Sequence, residues 1–225
     1  MIIRGKFSLI DIIRIINGKF RTPKIKKLHK LITYVNNNWT QEIPSSIPLL
    51  LFDDSPLISN SWLAGFSDGD ASVGINITKP EKAKNGYGQI KLTFEIVQSR
   101  YEEKHFKLYK PIVEKIAVFF KAKLGKHLIS NYDRSGKQEA WRARIVNNKG
   151  ASTIVEYFYR FPMFSSKHLN YVDWHTVFFM LVINKEHIGI TKLNTYAKVQ
   201  FIKEGMNTKR QIYTWDHLDN LYKKL

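Results

Sequence analysis

Between Ser61 and Ala71 a helical spacing of residues gives way to an alternating one, and that change limits what the chain around it can become. The segment Ser61-Trp62-Leu63-Ala64-Gly65-Phe66-Ser67-Asp68-Gly69-Asp70-Ala71 reads as a short helix, with Ser59, Asn60 and Ser61 offering side-chain caps for its start. Leu63 and Phe66 lie three apart, on one face. Gly65 and Gly69 lie four apart with Ala64 beside them, a stripe without bulk that lets a neighbouring helix come close. Each glycine costs roughly 1 kcal/mol of helix propensity, so the stripe implies a contact or a tight turn that needs it. Asp68 and Asp70 stand at the helix C-terminus, where the macrodipole is negative and cations are preferred. The two acids repel the helix end and each other. A bound divalent cation would relieve both conflicts; a turn that merely caps the helix is the other reading of the same spacing. Mg²⁺ suits a site with few carboxylates, several waters and substrate phosphates. Directly after Asp70, Val73, Ile75 and Ile77 alternate, so the acids occupy a helix-to-strand corner that a ligand can reach.

Residues 71 to 79 and 88 to 98 read as two strands. In the second, Ile90, Leu92, Phe94 and Ile96 alternate with Gln89, Lys91, Thr93 and Glu95. One face packs on a core. The other, continued by Asn76 and Thr78 on the first strand, shows groups of the kind that read base edges in a major groove, which admits a two-stranded ribbon. The basic loop Lys79 to Gly86 joins them and is expected to be mobile. Residues 106 to 123 form an amphipathic helix with Leu108, Ile112, Ile116, Phe119 and Phe120 in the core. Strands 127 to 134 and 139 to 147 follow, turning at Ser135-Gly136. Arg142 and Arg144 share one face, with Tyr132 and Arg134 on the partner strand, and arginine both reads guanine and clamps phosphate. Helices are expected at 149 to 160 and at about 168 to 183, then a helical tail.

The chain has 225 residues, a net charge of +17 and a pI of about 9.9. Such a balance points to a polyanionic partner, nucleic acid before a membrane surface. With 44% hydrophobic and 13% aromatic residues the chain can bury a core. The absence of cysteine excludes disulfides and thiolate metal sites, zinc fingers among them. The start, MIIRGKFSLID, has no long apolar stretch for secretion, and the longest apolar run, Val177 to Ile183, is far short of the ~20 residues a membrane helix needs. A soluble intracellular or organellar protein with no membrane partner is expected. The histidines show no ligand spacing; His187 and His217 are read as structural or surface groups.

Residues 1 to 55 form a basic leader and linker. Leu9, Ile10, Ile12, Ile13, Ile15 and Ile16 predict a helix ending at Asn17-Gly18. Thr22-Pro23 opens a second, from Lys24 to about Asn36, with Ile25, Leu28, Leu31, Ile32 and Val35 as its apolar face. A linker carrying Pro44, Pro48 and Pro56 follows. The core domain is then 56–187 and the helical tail 188–225.

Leu63 to Ala71, LAGFSDGDA, resembles the signature of the LAGLIDADG homing endonucleases, matching at Leu63, Ala64, Gly65, Asp68 and Asp70 and departing at Ala71, where that family usually has glycine. NGKFRTPKIKKLHKLITYVN (17–36) resembles the join between the halves of double-motif members encoded in fungal and algal mitochondrial introns. FPMFSSKHLNYVDW and MNTKRQIYTWDHL resemble their closing part, so the resemblance covers nearly the whole chain. It implies an α+β fold with an αββαββα core, an antiparallel DNA-binding sheet and extra helices. Two such cores would meet through their motif helices at Ala64, Gly65, Asp68 and Gly69. It further implies Asp70 as the direct metal ligand, with the Ala71 carbonyl beside it, and Asp68 as a cap or support of the helix pair. Gln98 falls where the family places a polar residue that orients the attacking water, and Lys167 where it places a basic residue near the phosphate. The implied activity is Mg²⁺-dependent double-strand cleavage of DNA at a specific site, by phosphodiester hydrolysis. The alternatives are an RNA maturase that assists splicing of its host group I intron, and an inactive fragment of a double-motif protein. Only one motif is present, so cleavage requires a homodimer or a second half. The resemblance places the protein in a mitochondrion or another organelle.

Overall fold

The computed structural model describes residues 5–78, 88–99, 109–130, 137–186 and 192–222. It divides into two units: residues 1–56 with 100–112, and residues 57–99 with 113–225. In the first, α1 (Lys6–Ile16) buries Ile10 and Ile13, and α2 (Ile25–Asn38) buries Ile25, Leu28, Ile32 and Val35. The chain leaves α1 at Asn17, and Gly18 takes φ +77°, a conformation that costs glycine nothing. Ile43 and Ile47 complete the apolar cluster between the two helices. The stretch expected as a linker is therefore fastened down. Asn36 exchanges both of its amide groups with the Ile47 backbone, each at 2.9 Å, and Asn17 Nδ2 donates to Pro48 O at 2.7 Å. Further on, the buried Arg21 guanidinium pairs with Asp53 at 2.9 Å and donates to Ser55 O at 2.6 Å. A proline-rich segment makes few ladder bonds of its own, and here asparagine and arginine side chains satisfy its backbone instead.

The second unit carries the order α3 (Trp62–Asp70), β1 (Ala71–Thr78), β2 (Gln89–Ser99), α4 (Lys110–Phe119, from Val113 onward in this unit), β3 (Leu124–Ser130), β4 (Lys137–Ile145) and α5 (Asn148–Arg160). The four strands form one antiparallel sheet in the order β1-β2-β4-β3. Ala71 faces Ile96, Val73 faces Phe94 and Ile75 faces Leu92, so the apolar rows of β1 and β2 fall on one side. Phe94 faces Ile145 and Ile96 faces Ala143, which extends that side across β4. Val113, Ile116 and Phe120 of the α4 region and Ile154 and Phe158 of α5 are buried in the same unit. Phe94 sits at the centre, edge-on to Phe120 at 5.6 Å and tilted against Phe158 at 5.7 Å. Helix α5 starts at the Asn147 cap, whose side chain accepts from Gly150 N at 2.7 Å.

Helix α6 (Lys167–Phe178) is shorter than the sequence predicts. From Phe179 to Ile183 the chain continues as a wider π-helical turn, closed by Asn184 N donating to Phe179 O at 2.9 Å. Helices α7 (Lys192–Glu204) and α8 (Asp216–Tyr222) follow. The segment between them is tied to the sheet and to α6: Asn207 Nδ2 donates to Val73 O at 3.3 Å, and Arg210 pairs with Asp173 and donates to Asn170 Oδ1. Among the described residues no helix is long and apolar enough to cross a membrane. The expected mobile loop 79–86, Leu108 and His187 lie outside the described residues.

Candidate functional site

Helix α3 has two faces made of different residues. Leu63, Ala64 and Ser67 are buried inside the unit, whereas Gly65 and Gly69 are exposed and a Cβ added at either would meet nothing within 4 Å. Ala64 thus belongs to the core and not to the small-residue stripe expected from the sequence. Phe66 likewise leaves the side of Leu63; it is half-exposed and stacks on Trp62 with centroids 4.8 Å apart. At the helix start Ser61 makes no side-chain cap. Asn60 Oδ1 accepts from Trp62 N at 3.0 Å, and the Tyr157 hydroxyl of α5 accepts from Ala64 N at 3.2 Å while donating to Asn60 O at 2.9 Å. A tyrosine ninety-three positions away thus does part of what a local cap does elsewhere.

At the other end the two acids separate in role. Asp68 accepts from Phe164 N at 2.7 Å, Ser165 N at 3.0 Å and Ser165 Oγ at 2.6 Å, anchoring the turn that starts α6. Ser165 Oγ in turn accepts from Lys167 N at 3.2 Å. Lys167 Nζ donates to Gly69 O at 2.9 Å and Ser67 O at 3.4 Å, the last carbonyls of α3. A cation at a helix C-terminus is favoured by the macrodipole, so the charge conflict read from the sequence is relieved in part by a lysine of this chain. Burial pulls the Lys167 ammonium below the ordinary lysine range, and the Asp70 and Asp68 carboxylates oppose that shift. Asp70 itself is exposed and makes no hydrogen bond or ion pair among the described residues. It is the carboxylate left open at the corner.

The sequence flagged Lys167, but not Ser165 or Tyr157. Ser165 carried a usable signal, a serine just before a helix. Tyr157 carried none, because its hydroxyl acts on a segment remote in sequence.

Gln98 follows Phe94 and Ile96 on their side of β2 and faces Trp141 of β4. Ala71 faces Ile96, so Gln98 lies two residues beyond the point where β1 turns back into α3. The opposite side of the sheet is polar. Register sets Ser72, Glu95 and Arg144 in one row across β1, β2 and β4. Val97, Arg142 and Gly125 form another, and Asn76 with Lys91 and Thr78 with Gln89 form two more. Arg144 Nε lies 3.5 Å from Glu95 Oε2, and Arg142 Nη1 lies 3.3 Å from His127 Nδ1. Thr93 belongs to this side by register but is buried. Its hydroxyl donates to Gly74 O at 3.2 Å, with Asn76 Nδ2 at 3.5 Å over it. A Cβ at position 74 would stand 2.8 Å from that hydroxyl, so glycine makes the room. Thr93 is a spacer under the face, whereas Asn76, Thr78, Gln89, Lys91 and Arg144 are exposed upon it. Tyr132 and Arg134 lie outside the described residues.

The donors that one chain offers a metal at the corner are the Asp70 carboxylate and the Ala71 carbonyl, both oxygen, as a hard divalent cation prefers. Among the described residues no group of three or more His, Cys, Asp or Glu could hold an ion. The residues fit a hard divalent cation that takes its remaining ligands from outside these two donors, such as water and phosphate.

The sequence profile of the LAGLIDADG endonuclease family matches residues 63–178. Over 237 residues the chain is 25% identical to the intron-encoded DNA endonuclease aI3 of Saccharomyces cerevisiae, covering 98% of this chain and 56% of that protein. It is 26% identical over 210 residues to an uncharacterised cox1 intron-2 protein of Schizosaccharomyces pombe, covering 92% of this chain and 56% of the other. The chain thus spans little more than half the length of these two relatives. Among solved structures, the I-LtrWI LAGLIDADG homing endonuclease bound to its target DNA superposes with a TM-score of 0.52 at 23% identity, covering 91% of this chain and 64% of that one. That likeness is one of fold.

Proposed function

The chain belongs to the LAGLIDADG endonuclease family, and from that premise we propose that it is an intron-encoded, site-specific DNA endonuclease whose working form brings two motif helices together. One observation carries the reading. Asp70 keeps an open carboxylate at the corner while its neighbour Asp68 is consumed by three hydrogen bonds. A fold that needed these acids only for capping would have no use for the second. The exposed Gly65 and Gly69 support pairing of α3 with a second copy or a second half, because bare backbone lets helices approach closely. The polar sheet face and the net charge of +17 support double-stranded DNA as the partner.

Asp70 and the Ala71 carbonyl would hold a divalent cation, Mg²⁺ by the nature of the donors. When bound, such an ion polarises a phosphate and lowers the pKa of water. Lys167, fixed on the Gly69 and Ser67 carbonyls, holds a positive charge beside Asp70, where charge builds up on a phosphate under attack. Gln98 is assigned to orienting water at the same corner. The relative named for a cox1 intron supports a mitochondrial setting. A maturase that binds intron RNA is the second reading, and an open Asp70 adds nothing to it.

The test is cleavage of a duplex that contains the intron-free insertion site, in Mg²⁺ or in EDTA, by wild type and Asp70→Asn. Metal-dependent double-strand cleavage by the wild type, abolished in the variant with DNA binding kept, is the expected result. Binding without cleavage under any divalent metal would remove the nuclease reading for this chain and turn attention to intron RNA.

A further inference from the structure

The two arginines on the polar sheet face have partners of different charge, and that difference assigns them different work. Arg142 faces a histidine. Arg142 Nη1 lies 3.3 Å from His127 Nδ1, a partner that brings no negative charge. The couple keeps a full positive charge, which suits a phosphate. Arg144 faces a carboxylate directly across the β2–β4 register, its Nε 3.5 Å from Glu95 Oε2. That couple has no net charge, and its carboxylate repels phosphate oxygens. Yet the contact engages only Nε. Among the described residues no other hydrogen bond or ion pair holds Arg144, so the Nη1 and Nη2 fork is open to solvent.

We infer that Glu95 and Arg144 together read one G·C base pair, the terminal fork of Arg144 donating to guanine O6 and N7 and Glu95 accepting from cytosine N4. This rests on the DNA-endonuclease reading above. A G·C pair presents those two acceptors and that donor side by side in the major groove, and the couple presents the matching donors and acceptor from adjacent strands. Ser72 stands in the same row as Glu95, and rows of this face follow one another at two-residue intervals along β1, about 7 Å at ~3.4 Å per residue. With one base pair per ~3.4 Å of duplex axis, a duplex lying along the strand would meet successive rows about two base pairs apart. Glu95 also acts against the wrong target, since it keeps Arg144 from clamping the backbone of any sequence.

The experiment selects duplexes from a randomised pool with the full chain in EDTA, so that no cleavage intervenes, for wild type, Arg144→Lys and Glu95→Gln. Both side chains stand on the outer side of the sheet, and thermal melting by circular dichroism verifies that each variant folds. The wild type is expected to fix one G·C position with a preference of about 5- to 150-fold. Arg144→Lys keeps the charge and loses that preference. Glu95→Gln weakens the preference and raises retention of scrambled duplex. A G·C position that survives Arg144→Lys, or a pool in which no position responds to either substitution, overturns the inference while leaving DNA recognition intact. A wild type that retains no duplex at all removes the DNA reading itself, and the inference with it.

Discussion

Two side chains carry more than their positions announce. Tyr157 has no exposed surface, and its hydroxyl serves both Ala64 N–H and Asn60 C=O at the start of α3. Tyr157→Phe removes both bonds while Ala64 N–H keeps its bond to Ser61 O at 3.0 Å, so a loss of about 0.5–1.5 kcal/mol per lost bond is expected. Denaturant unfolding reads it as a lower midpoint at constant m-value; an unchanged midpoint would mean the start of α3 needs no such cap. His168, at the start of α6, stacks on His217 of α8 with centroids 4.0 Å apart, and each has a buried ring nitrogen without a partner among the described residues. Burial first, then the neighbouring His217, holds the His168 pKa down from 6.5 to about 4, with Asp68 pulling the other way. Its folded-state value is depressed, so the unfolded chain takes up the proton first. The stability this histidine contributes is full above pH 6.5 and is lost as pH falls from there to about 4. Urea unfolding across that range should show a shallower fall for His168→Gln than for wild type; parallel curves would locate the acid sensitivity elsewhere. Asp68 marks the limit of reading residues locally. Its spacing from Asp70 flagged both acids alike; the family resemblance implied different roles for them, and the return of the chain at Phe164 and Ser165 supplies the partners that engage Asp68.

At the scale of elements, the alternation in β1 and β2 was legible because each strand has one buried and one solvated side, and successive side chains of a strand point to opposite sides. The strand order β1-β2-β4-β3 was not, since nothing local in β4 states that it inserts beside β2. Thr93 shows the same gap on a small scale: the pattern assigns its side of the sheet, but only the partner strand shows that Asn76 and Gly74 enclose it. For α3, the composition revealed a stripe and the structure reveals its membership. Replacing the exposed glycines tests what the stripe is for. Gly65→Ala and Gly69→Ala add a methyl to open space and raise helix propensity by about 1 kcal/mol each. The isolated chain should therefore melt no earlier than wild type, while Gly69→Leu should abolish self-association in sedimentation and cleavage along with it. Retained cleavage in Gly69→Leu would take pairing away from this face.

For the whole molecule, the charge of +17 was plain from composition and its use was not. If the polar sheet face and its basic neighbours neutralise six to ten phosphates, DNA affinity should fall about 10³- to 10⁵-fold between 50 and 200 mM salt. Titrations at several salt concentrations give that slope directly, and a flat response would mean the charge serves something other than a duplex. The first unit was legible as two helices but not as a closed cluster. Its closing contacts join Asn17, Arg21 and Asn36 to residues eleven to thirty-four positions later, through side chains that look like ordinary surface polar groups in the sequence.

The division of α3 into two disjoint sets of residues has a consequence for how such a protein can be rebuilt. Leu63, Ala64 and Ser67 answer to the interior, while at Gly65 and Gly69 the space a side chain would fill is open. The outward set can be rewritten without disturbing the inward one. If α3 pairs through that face as proposed, exchanging it for the outward set of another motif helix would turn this chain into an interchangeable part, to be matched with a partner of choice as one threads a bolt to a given nut.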